Sequence, residues 1–163
     1  MNPKIQKTIE SHEKALQKIR LQFEHAAEIR NRIPEAENGA AALSLSAEAK
    51  GLEFECHRAE IAAWEKYLEA IPKLKEFLQA DIEDALSRQN EAKESRVAGM
   101  AALGIVVRPG FLAGSAHSES EKSVAAELKH LKDWRFRPEL NPNEAEKNME
   151  SCRGKLALFC GQL

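Results

Sequence analysis

Near the start of the chain a seam runs through Ile5, Ile9, His12, Leu16, Ile19, Phe23 and Ala26, in alternating steps of four and three. Seven matches to that spacing draw one apolar stripe along a helix, predicted over residues 3–33 and about 45 Å long. Ile29 and Ile33 drift off the seam, and Pro34 followed by Asn38-Gly39 breaks the helix. A second stripe follows through Phe54, Ile61, Trp64, Leu68, Ile71, Leu74, Leu78, Ile82 and Leu86. It predicts a helix over residues 44–98, capped by Ser44 or Ser46 and about 80 Å long. Pro72 interrupts it, but "LEAIPKLKEF" has no Gly, Asn or Ser beside the proline, so a kink is expected rather than a reversal.

The two lengths do not match. The first helix covers only about half of the second, and the half after Pro72 needs the C-terminal helices or a second copy of the chain as its partner. Two C-terminal helices are signposted. Ser118 and Glu121 form a capping box ahead of Val124, Leu128 and Leu131. Asn141 caps the last helix, with Pro142 in first place and Glu144 completing the box; Ala145, Met149, Cys152, Leu156 and Phe159 follow at 4-3-4-3 spacing.

Composition strengthens the helical reading. Ala, Glu, Lys, Leu and Arg supply 89 of 163 residues, while Thr occurs once and Val four times, which leaves little to build a sheet. The expected fold is all-α: an elongated helical bundle, with a coiled-coil-like hairpin of two long helices (residues 1–98), an apolar Gly-rich joint (99–117) and a C-terminal helical pair (118–163). These are expected to fold as one cooperative domain. Residues 1–33 carry seven basic and four acidic side chains, and residues 34–98 eight basic and fourteen acidic, so the long helices have opposite charge. Net charge is −2, which gives no support to a nucleic-acid partner.

Three cysteines are too few and too odd in number for a disulfide framework. The first residues lack an apolar targeting core, and no run reaches the length of a membrane span. A cytoplasmic protein without a membrane span is expected.

Residues 97–116, "VAGMAALGIVVRPGFLAGSA", stand apart: one charged residue in twenty, and four of the eight glycines. The long helix is expected to end between Gly99 and Gly104, with a short apolar hairpin or extended pair around Pro109-Gly110. Burial in the core is one role for this joint, since bare apolar segments are usually covered. An exposed contact patch through Met100, Leu103, Ile105, Phe111 and Leu112 is the second. Insertion into a membrane fits least, because the flanks lack a Lys-rich face or an aromatic belt. The GxxxxG spacing of Gly99 and Gly104 is not a phosphate loop, because Ile105-Val106 stands where Lys and Ser/Thr are required.

Chemistry is sparse. His12-Glu13 opens like a zinc-protease helix, but position 16 is Leu and His12 lies on the seam, where a core or interface histidine is expected. Cys56, His57, Cys152 and Cys160 have no metal-ligand spacing, and Cys56 and Cys152 fall where small apolar residues would. Ser115, His117 and Ser118 are neighbours in sequence only, with no third orienting group. No catalytic residue, metal site or cofactor is predicted, and the chain is read as non-enzymatic.

"KHLKDWRFRP" rises above this background. Trp134 and Phe136 alternate with Arg135 and Arg137, near Lys129, His130 and Lys132. The aromatics suit a cap on the core end, with the basic groups offsetting the helix dipole. Trp with Arg also suits a protein-interface anchor, or a platform for nucleic acid. The expected function is binding of another protein, as an adaptor, chaperone, assembly factor or occluding inhibitor of the immunity type. Trp134, Arg135, Phe136, Arg137 and the 100–112 segment would be its anchors, with a homodimer as a further expectation. A nucleic-acid-associated helical protein using residues 129–137 is the alternative.

Overall fold

A computed structural model describes residues 2–105 and 119–161. They form four helices and two short 3-10 turns, with no strand among the described residues. The helices are α1 (Pro3–Asn31), α2 (Gly39–Ala102), α3 (Glu119–Trp134) and α4 (Pro142–Cys160). The fold is all-α, as the periodicity predicts. No described helix is long and apolar enough to cross a membrane.

The chain divides into two compact units: Gln6–Pro72 with Asn141–Leu163, and Met1–Ile5 with Lys73–Leu140. Helix α2 contributes to both and passes through Pro72 without reversing. The proline has no N–H to offer the carbonyl one turn back. That loss is local, and the Ala-, Glu- and Leu-rich sequence on either side continues the helix.

Helix α2 begins earlier than the sequence suggests. Asn38 is a cap rather than a breaker: its side chain accepts the Ala41 N–H at 2.9 Å, and Gly39 opens the helix. Its far end is set by Gly104, whose φ of 74° suits only a residue without a Cβ. Ile105 N–H donates to the Met100 carbonyl at 3.0 Å and Gly104 N–H to that of Ala101 at 3.0 Å, which together close the helix in a Schellman turn. Gly99 does not interrupt it.

In the first unit, α1 and α4 both lie along the first half of α2. Arg30 pairs with Glu53, Phe23 packs on His57, and His12 packs on Trp64 and Tyr67, so α1 runs antiparallel to α2. Phe159 meets His57 and Arg153 pairs with Glu65 at 2.8 Å, so α4 runs antiparallel to it as well. Here the buried line on α2 is Ala49, Glu53, Cys56, Tyr67 and Ile71; of the predicted stripe Ile71 is buried, while Phe54, Ile61, Trp64 and Leu68 are half-buried. Small residues let the flanking helices approach closely, and the larger apolar groups then fill the sides of the seam.

In the second unit, Arg88 pairs with Glu127, Arg96 with Glu121 and Arg135 with Gln79, so α3 runs antiparallel to the second half of α2. Helix α3 is thus the partner that the half after Pro72 requires. Leu74, Leu78, Ile82 and Ala85 face Leu128, Leu131 and Leu140 in its core, and Ala85 takes the place predicted for Leu86. The start of the chain also belongs here. Asn2 caps α1 through the Lys4 N–H at 3.0 Å and donates its own N–H to Asp81, while Ile5 is fully buried.

Candidate functional site

Of the nine residues expected to bind a partner, the seven that are described fall in two places. Met100, Leu103 and Ile105 are at the C-terminal end of α2, where Leu103 is 79 % exposed and Ile105 42 %. Phe111 and Leu112, with the hairpin expected around Pro109-Gly110 and the capping residue Ser118, lie outside the described residues. Trp134, Arg135, Phe136 and Arg137 are at the C-terminal end of α3. The Arg96–Glu121 and Arg135–Gln79 pairs put these two groups beyond opposite ends of α3, whose 16 residues span about 24 Å. They do not form one continuous patch.

The α3 end is the better built. After Trp134 the chain tightens into successive short turns, with Arg135, Phe136 and Arg137 N–H groups donating to Lys132, Asp133 and Trp134 carbonyls at 3.2 Å. Leu140 then enters the core, only 1 % exposed, through the 3-10 turn Pro138–Leu140. Leu140 therefore covers the core end, the role the sequence offers to Phe136. Phe136 instead projects outward and is 86 % exposed.

Trp134 is held on two sides. Its indole N–H donates to His130 Nε2 at 3.1 Å, and the Arg137 guanidinium sits over its ring at 4.6 Å. Arg137 also lies 3.9 Å from Glu139, and Arg135 donates to the Gln79 side chain. The guanidinium groups thus have partners within their own unit, and one face of Trp134 is covered.

A second feature was only partly visible in the sequence. His12 stacks on Tyr67, with centroids 4.1 Å apart and planes 11° from parallel, and meets the edge of Trp64 at 4.5 Å. Beside these rings Ala15, Ala63 and Ala70 leave a cleft of about 340 Å³ between α1 and α2, with Lys7 and Lys66 also lining it. The seam position of His12 was the legible signal. The three alanines gave none, because alanine is common throughout the chain. Burial pulls the His12 imidazole below its usual range, more than a hydrogen bond to the Ala63 backbone raises it.

Two of the three cysteines are poorly placed for thiol chemistry. Cys56 and Cys152 are buried and Cys160 is exposed, all as free thiols. Burial, reinforced by Glu60, pushes Cys152 up to about 11; burial and Glu53, Glu55 and Glu60 raise Cys56. His57 is wedged between Phe23 and Phe159. Among the described residues no three His, Cys, Asp or Glu side chains converge as metal ligands. Comparison with protein-family models, curated proteins and solved structures finds no match.

Proposed function

We propose that this chain works by binding another protein, with Phe136 as the projecting anchor and Trp134 as its fixed support. The exposed Phe136 ring beside an indole braced by His130 and Arg137 carries this reading. A large apolar side chain left in water gains on burial against a partner, by about 1.5–3 kcal/mol for a full transfer. A pre-braced Trp loses little further freedom on binding, which favours association. Leu103 and Ile105 offer a second, smaller contact at the far end of the unit. No catalytic step is part of the proposal, and the free thiols suit a reducing cytoplasm.

The nucleic-acid alternative draws less support. A stacking platform needs an open aromatic face and cations free for phosphates. Trp134 already carries Arg137, and Arg135 and Arg137 have partners nearby.

A photo-crosslinking residue placed at position 136, with position 147 on the polar side of α4 as control, tests the proposal in native cells. A discrete protein adduct from 136 and none from 147 is the expected result. An adduct containing this chain alone would make the partner a second copy. Nucleic-acid adducts, or the same adducts from both positions, would overturn it.

A further inference from the structure

We propose that the cleft between α1 and the first half of α2 binds a small organic anion with a flat apolar body, such as an aromatic carboxylate. The inference is independent of Phe136 and its partner, which belong to the other unit.

The shape comes first. Short side chains on neighbouring helices fill little of the space between them. Ala15, Ala63 and Ala70 do this along one stretch, and the result is about 340 Å³ of unfilled space, within the range of small-molecule sites. A cleft of this size has room for a ligand with one or two rings.

The surroundings suit such a ring. His12 and Tyr67 are already stacked nearly parallel, and Trp64 meets both of them edge-on. Three rings that hold each other leave little side-chain motion to lose, so a planar guest meets a rigid aromatic flank.

The charge is one-signed. Lys7 comes from α1 and Lys66 from α2, and no carboxylate joins them in the lining. Neither lysine forms an ion pair with any described residue, although the chain as a whole is acidic. Two ammonium groups on flexible stems can close on one anionic head from both sides while their methylenes cover the guest.

His12 adds one polar requirement. Its Nε2 is shielded from solvent and has no hydrogen-bond partner. A buried nitrogen in that state is costly, and a hydroxyl on the guest, donating to it, would satisfy it.

Calorimetric titration of the full chain with 2-naphthoate tests this, with 2-naphthalenemethanol and acetate as probes lacking the charge and the rings. One saturable site for naphthoate is expected, with both controls at least tenfold weaker. In K7Q/K66Q, which changes only rim side chains, affinity should fall about tenfold or more. In Ala70→Leu, which fills the cleft, it should be lost. Should that variant misfold, naphthoate-induced shifts of the His12 ring protons in the unaltered protein, read by NMR, take its place. Equal binding of the uncharged alcohol, unaltered affinity in K7Q/K66Q, or no saturable heat would each overturn the proposal. So would saturation by hexaglutamate without naphthoate binding, which would assign the lysines to an acidic macromolecule.

Discussion

The two compact units solve the same packing problem with different side chains. The unit of Lys73–Leu140 and the chain start has a branched-aliphatic core, Leu74, Leu78, Ile82, Leu128, Leu131 and Leu140, and joins its helices by arginine–carboxylate pairs. The unit of Gln6–Pro72 and the C-terminal helix mixes Ala26, Ala49, Cys56, Ala145 and Cys152 with Ile19, Ile29, Tyr67 and Ile71 in its core, and places rings and histidines beside the small residues. Leucine and isoleucine fill the space between helices by themselves. Alanine and cysteine cannot, so the second kind of seam depends on neighbouring rings and, at His12, leaves a cleft. A cleft of similar size, about 330 Å³ and lined by Gln89, Lys93, Glu121, Lys122 and Ala125, lies in the aliphatic unit, so what sets the His12 region apart is its aromatic flank and its lowered imidazole pKa.

The largest effect should come from the ion pair of the aliphatic unit. Arg96 and Glu121 meet at 3.2 Å with side chains only 12 % and 4 % exposed. Arg96→Met takes the guanidinium away from the buried Glu121 carboxylate, and urea unfolding should show a loss of about 3–5 kcal/mol. Arg96→Met with Glu121→Leu should recover most of it. If the single variant is neutral, the pair does not order this unit and the comparison breaks.

Leu131→Ala should follow at about 2–5 kcal/mol, since Leu131 is fully enclosed and its neighbours are aliphatic. Cys56→Ala in the other unit should cost clearly less in the same urea titration, because a smaller group is removed. Equal losses would show that the small-residue seam is packed as tightly as the leucine core. Gly104→Ala comes next. No atom lies near a Cβ built there, so the cost is that of a left-handed backbone alone, about 1 kcal/mol, read as helix loss in circular dichroism.

Acid sharpens the comparison without a large free energy. His12 sits below its ordinary value of about 6.5, so the unfolded chain binds more protons in that range. Stability should therefore fall as pH drops below 6.5 and level off below the folded pKa; His12→Asn should remove that slope. Glu127, hydrogen-bonded by Arg88 at 2.9 and 3.0 Å, is held below the usual carboxylate range. Its contribution should persist through mild acid and disappear only as pH falls through that lower value. Smallest of all, Phe136→Ser should leave unfolding within about 0.5 kcal/mol of the parent, because the ring covers nothing in its own unit.

Much of this was legible along the chain. The stripe from Ile5 to Ala26 predicts α1, and the Asn141-Pro142 start predicts α4, where Asn141 accepts the Asn143 N–H at 3.1 Å. The Val124, Leu128, Leu131 repeat predicts the inner face of α3. The start of α2 was misplaced because Asn-Gly serves both as a turn and as a cap with its first helical residue, and local sequence does not separate the two. Of the candidate site, Trp134 and Phe136 could be named, but their difference could not. Leu140, four residues on, takes the buried position, and only the turn at Pro138–Leu140 decides which apolar side chain turns inward.

The sequence by itself determined the helical class, most helix ends and the apolar stripes, because spacing, caps and propensity act within a few turns. Tertiary structure alone decided that α3 lies along the half of α2 after Pro72, and that Glu53 and Cys56 lie on the buried line. It also decided that three scattered alanines meet beside His12. Those outcomes depend on which faces of different helices come into contact and how closely, and periodicity along one helix carries neither the partner nor the distance.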